Sequence, residues 1–94
     1  MGRQKIIEKI EKNINVNDEE GVFLVIYDFY KENVNKIPER FYKNLYLLFE
    51  KYTDCHFIQK SVIECMHLKS AFIIRELVRH YGGNVSIYRV YEKI

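Results

Sequence analysis

Long apolar runs, cysteine, proline and a charge excess of one sign are all scarce in this chain, and each scarcity removes a class of protein. No apolar run approaches the ~20 residues that a helix needs to cross a bilayer, so no membrane role is expected. The opening stretch MGRQKIIEKIEKN alternates charge throughout and lacks the continuous apolar segment of a secretory signal. Two cysteines, Cys55 and Cys65, are too few for the disulfide framework of a small secreted domain. Together these features predict a cytoplasmic protein. One proline and four glycines leave no Pro/Gly-rich linker, and there is neither an internal repeat nor a low-complexity tract. Ninety-four residues then fit a single domain.

The formal charge of +2 is too small to identify a nucleic-acid-binding protein, but it is unevenly spread. Residues 1–33 hold five Lys/Arg against seven Asp/Glu, whereas residues 34–94 hold ten against six. The body is thus mildly basic and compatible with a phosphate backbone. What the chain has in quantity is apolar and aromatic side chains, 48% and 15% of residues, which is enough for a packed core. A domain this small buries only a moderate share of its surface, so self-association would add stability.

Periodicity divides the chain into an N-terminal helix and loop, residues 1–20, and a main domain, residues 21–94. Ile6, Ile10 and Ile14 recur every fourth residue with Lys and Glu opposite, predicting an amphipathic helix over 3–14 that covers the sheet or an edge of the same domain, or else serves as a partner-docking or dimer-swapping arm. Val22 to Tyr27 is a near-continuous β-branched and aromatic run, the texture of a central strand buried on both faces. A polar stretch from Lys31 to Lys36 leads to Pro38, which suits the first turn of a helix. Phe41, Leu45, Leu48, Phe49 and Tyr52 continue that helix over about 37–53. The segment from Cys55 to Met66 reads as two strands with a tight bend near Lys60, which would make Cys55 and Cys65 cross-strand neighbours with free thiols. Leu68 to Tyr81 repeats at helical spacing, and Gly82-Gly83 supplies its stop. Val85 to Tyr91 closes the chain as a strand with Val85, Ile87 and Arg89 on one face. The order strand, helix, two strands, helix, strand is the split βαβ pattern. It predicts an α+β, ferredoxin-like βαββαβ sandwich behind an N-terminal helix.

Three segments in this order resemble a known family. A first strand ends in Tyr27-Asp28, the run Ile58 to Glu64 reads IQKSVIE, and Asn84 to Val90 reads NVSIYRV. This is similar to the small CRISPR-associated adaptation proteins, whose texture is V-x-Y-D, then V-Q-x-S-V-F-E-G, then S-V-x-I-Y. Ile63 and Cys65 stand where that family has Phe and Gly. The virulence-associated toxin endoribonucleases share the fold and the Asp. The resemblance implies a homodimer that holds duplex DNA beside an integrase. It also implies a magnesium-dependent nuclease site with Asp28 as catalytic residue and metal ligand. The alternatives are a toxin-like endoribonuclease, or a ferredoxin-like regulatory module that binds no nucleic acid.

The chemistry of the residues is compatible with those readings. Mg²⁺ takes oxygen ligands and keeps several waters, so one or two carboxylates suffice; a two-fold axis would turn one Asp28 into a pair, or Asp28 can simply end its strand by hydrogen-bonding into the following turn. Arg75 and Arg79, one helical turn apart, can reach consecutive phosphates, or be satisfied by Glu76 and solvent. Arg40 and Lys43 at the start of the first long helix are further phosphate candidates. Tyr27, Tyr30, Tyr42 and Tyr46 can stack on bases or pack in the core and its rim. The spacing of His56, His67, His80 and the cysteines matches no zinc pattern.

Overall fold

The computed structural model describes the backbone of residues 2–29 and 38–94 and the side chains of 6–29 and 38–94. The polar stretch Lys31–Lys36, and Tyr30 before it, lie outside the described residues. The elements run α1 (Gly2–Asn13), β1 (Glu20–Asp28), α2 (Glu39–Lys51), β2 (Cys55–Gln59), β3 (Val62–His67), α3 (Leu68–His80) and β4 (Asn84–Val90). The four strands form one sheet in the order β2-β3-β1-β4, with every neighbouring pair antiparallel.

Alternation along the strands decides which side of the sheet is covered. Phe23, Val25 and Tyr27 of β1 point to the helices and are buried. Ile63 and Cys65 of β3 lie beside them by register, as do Val85, Ile87 and Arg89 of β4. Val22, Leu24 and Ile26 face the other way, and Ile26 is 40% exposed. The expectation of a strand buried on both faces is therefore corrected. An unbroken apolar run marks a strand whose outer residues are apolar too, not one covered twice.

Helices α2 and α3 close the inner face with Phe41, Leu45 and Leu48 from one and Ala71, Ile74 and Val78 from the other, all in a single core. Helix α1 does not cover the sheet, as was one expectation. It packs against α2 and α3, with Ile7 and Ile10 joined to the same core. Burying each of these is worth roughly 1.5–3 kcal/mol, so α1 is part of the packed unit. Its cover explains why α3 is buried over a broad arc that includes Ser70, Ile73 and Leu77 as well as the sheet-facing residues. Glu11 of α1 also takes hydrogen bonds from Lys51 and Tyr52 at the end of α2.

The turns follow from local chemistry. Gln59 pairs with Val62, so Lys60-Ser61 is a two-residue turn, where the bend was expected. Ser61 has a positive φ of 66°, and its carbonyl accepts the Tyr27 N–H at 3.1 Å. Gly82 has φ 85° and ends α3 as expected. Gly83 is needed for space: a Cβ there would lie 2.7 Å from both Phe29 and Val78 side-chain carbons. Helix α2 begins at Glu39 with Pro38 as its cap rather than inside its first turn, and β4 ends at Val90, one residue earlier than the alternation suggests.

Candidate nucleic-acid interface

The basic face of the molecule is built from α3 and β4. Arg75 and Arg79 lie one turn apart on α3, on the side away from the core, and Arg89 comes from the far end of β4. Together with Phe23, Phe72 and Ile87 they line a hollow of about 380 Å³ between α3 and the β4 edge. The same two α3 arginines, with Lys9 and His80, also line a groove of about 770 Å³ between α3 and α1, where Ile10 and Ile14 supply the apolar surface. Arg75 and Arg79 thus stand on a ridge between two concavities.

Each guanidinium is positioned by an aromatic ring or a carboxylate. Arg75 lies 4.2 Å over the Phe72 ring and Arg89 4.9 Å over Phe23, an arrangement that favours the charged, planar group. Arg75 Nε and Arg79 Nη1 donate to Glu76 Oε2 at 3.0 and 3.1 Å. Arg89 Nη1 donates to Glu19 Oε1 at 2.8 Å, and this contact holds Arg89 still more firmly protonated than usual. A guanidinium has five N–H donors, so one bond each to these carboxylates leaves donors for a phosphate. Glu76 and Glu19 act here as local competitors for the same charges. All of these pairs are partly exposed, which keeps their mutual attraction small.

Arg89 was readable as a member of the Val85–Ile87 face, but its convergence with Arg75 and Arg79 depends on the long-range pairing of β4 with β1. Arg40 and Lys43 are exposed on α2. The start of α2 abuts the end of α3, since Asn44 Nδ2 donates to the Tyr81 hydroxyl and to the Arg40 carbonyl, both at 2.9 Å. Arg40 and Lys43 line neither concavity beside Arg75.

Asp28 is the exposed last residue of β1, opposite Asn84. By register it belongs to the open face of the sheet, at the end that carries the Lys60-Ser61 turn, whereas Arg75 and Arg79 belong to the helical layer. The candidate metal ligand and the candidate phosphate contacts therefore sit on different sides of one chain. Among the described residues no three His, Cys, Asp or Glu side chains converge as a metal-binding group. Asp28 itself offers one carboxylate, a donor of the kind that magnesium takes.

The tyrosines separate clearly. Tyr27 is in the core, edge-on to Phe29 and Phe41, and burial raises its hydroxyl pKa well above the usual range; it is not a base-stacking surface. Tyr46 is 55% exposed and stacks on Tyr42 at 6.2 Å. The histidines are scattered: His56 pairs with Glu64 at 3.0 Å on the open sheet face, and His67 with Asp18 at 3.3 Å at the start of α3. One positioning residue gave no signal in the sequence. Asp54 accepts the Met66 N–H at 3.1 Å and the Ser70 hydroxyl at 3.0 Å, tying the loop before β2 to the β3–α3 junction.

Comparison with models of known protein families, with curated proteins and with solved structures finds no match to this chain.

Proposed function

We propose that this protein binds nucleic acid as a homodimer on a ferredoxin-like scaffold, in the manner of the CRISPR adaptation proteins that its sequence resembles. The observation that carries the reading is the convergence of Arg75, Arg79 and Arg89 on one ridge and hollow, each guanidinium set over a ring or beside a carboxylate. Such groups hold phosphates without reading sequence, which suits a protein that clamps duplex DNA. The scaffold reading is supported by the strand order and by α2 and α3, which both pack on the inner face as connections between strands separated by a third.

Self-association is supported by the open face of the sheet. Leu24, Ile26, Val62, Met66 and Tyr88 share that face by register, and Ile26, Met66 and Tyr88 are each at least 40% exposed. The same face carries the His56–Glu64 pair, with Glu64 opposite Leu24, and exposed apolar residues set beside such a polar pair suit an association surface. A second copy would bury it, and Asp28 of each subunit belongs to that same face. In this proposal a magnesium ion shared by the two carboxylates would supply Lewis-acid chemistry for phosphodiester cleavage. An integrase is the further partner that the resemblance implies.

The test uses a labelled DNA duplex and a labelled RNA of equal length, with wild-type protein and Asp28→Asn, in magnesium or manganese. The proposal expects duplex binding by both proteins and any cleavage by the wild type alone. Binding and cutting of RNA only would favour the toxin-like endoribonuclease. Binding of neither would leave a regulatory module on the same scaffold.

A further inference from the structure

Cys55 opens β2, an edge strand, and Cys65 stands directly opposite it on β3. Both thiols are free and buried, and their sulfurs are 3.1 Å apart, about 1 Å more than an S–S bond. Directly opposed residues of an antiparallel pair hold their Cα atoms about 4.5–5.5 Å apart, inside the roughly 4.4–6.8 Å that a disulfide spans. The pair is held in this register from one side by Asp54, the residue before Cys55, whose carboxylate accepts the Met66 N–H near the end of β3. From the other side it is held by the tight turn at Lys60-Ser61. Neither Arg face nor the open sheet face uses these thiols, which point into the helical side of the sheet.

We propose that Cys55 and Cys65 are a reversible dithiol–disulfide pair that joins β2 covalently to β3 when a low-molecular-weight disulfide is the oxidant. Cys55 reacts first. Its sulfur, having lost its proton to solvent, attacks the external disulfide and releases one thiolate, which takes up a proton. The Cys65 sulfur then displaces the second external thiolate from Cys55, its own proton passing through solvent to that leaving group. Two protein thiols are oxidised and one external disulfide is reduced to two thiols. The order follows from position. Cys65 is fully buried at the centre of the sheet, and its contact with Cys55, together with burial, pushes its thiol pKa far above the ordinary value. Cys55 needs only β2 to lift from the sheet edge. Opening of a five-residue edge strand that is bulged after Phe57 is far cheaper than global unfolding.

The experiment incubates reduced protein with oxidised glutathione, blocks remaining thiols with iodoacetamide and maps peptides without reduction. The expected product is a single chain linked Cys55 to Cys65. Its thermal midpoint should rise on the order of 10 °C, from closing a loop of this length, and dithiothreitol should reverse the shift. Cys55→Ser should abolish the link and leave Cys65 unmodified in the folded protein. Two alkylated cysteines, under conditions that oxidise the urea-unfolded chain, would overturn the proposal. A link between chains would overturn it as well. A Cys55→Ser protein whose Cys65 captures glutathione as fast as the wild-type pair reacts would overturn the assignment of Cys55 as the first sulfur.

Discussion

Glu76 Oε2 accepts a hydrogen bond from Arg79 Nη1 at 3.1 Å, across one turn of α3, and the same oxygen serves Arg75. A carboxylate set between two guanidiniums steadies them and also competes with any phosphate that approaches. Glu76→Gln keeps the shape and removes the charge. Duplex affinity at low salt should then rise about two- to fivefold, the scale of an exposed ion pair. Fluorescence anisotropy measures this directly, and an unchanged or weaker affinity would argue that Glu76 does not oppose binding.

The open sheet face gives a second prediction. Ile26 is already 40% exposed and sits beside Val62 and Ser86 by register, so a Glu there finds solvent in a lone chain. Ile26→Glu should keep the circular dichroism of the wild type and convert a dimer to a monomer in light scattering. Two copies that remain associated in the variant would place the interface elsewhere.

The contrast between strands and sites shows what was legible in the sequence. Every helix and strand could be located because its apolar period is local, and the turn at Lys60 followed from the polar break between two β-rich runs. The opposition of Cys55 and Cys65 was legible for the same reason, since two strands joined by a two-residue turn fix their own register. What was not legible depends on pairing over long separations. That α1 would cover α2 and α3, and that Arg89 over Phe23 would line one hollow with Arg75 over Phe72, are outcomes of packing that no local pattern encodes. The single covered face of β1 was misread because Val22, Leu24 and Ile26 are as apolar as the buried residues between them.

Gly83 is a position where space, not backbone freedom, sets the residue. A Cβ there would meet a ring carbon of Phe29 and a methyl of Val78 at 2.7 Å. Gly83→Ala should destabilise the protein by about 1–3 kcal/mol, read as a lower denaturant midpoint with an unchanged slope. Gly82, at φ 85°, should be comparably intolerant for the separate reason that its backbone is left-handed. A Gly83→Ala protein as stable as wild type would mean that Phe29 moves freely.

Acid should loosen both the α1–α2 and the α3 junctions. Burial disfavours the charged form of Glu11, but hydrogen bonds from Lys51 and Tyr52 outweigh it and leave its pKa below the ordinary 4.5. The Lys69 backbone N–H, aided by His67, likewise lowers Asp18 below 3.8. A carboxylate with a depressed folded-state pKa contributes stability above its unfolded value and loses it as pH falls through the folded one. The thermal midpoint should therefore drop as pH falls below 4.5. Glu11→Gln with Asp18→Asn should start lower at neutral pH and fall less steeply in acid. Parallel profiles for the two proteins would remove these carboxylates from the account.

The most direct test of the central claim is the salt dependence of duplex binding for wild type and for Arg75→Ala with Arg79→Ala. If both arginines hold phosphates, the double variant binds more weakly on every sequence. Its slope of log affinity against log salt should also be shallower by about 2, one counterion for each lost contact. Equal affinities and equal slopes, with both proteins folded, would return Arg75 and Arg79 to a solvated surface held by Glu76 and would contradict the nucleic-acid reading.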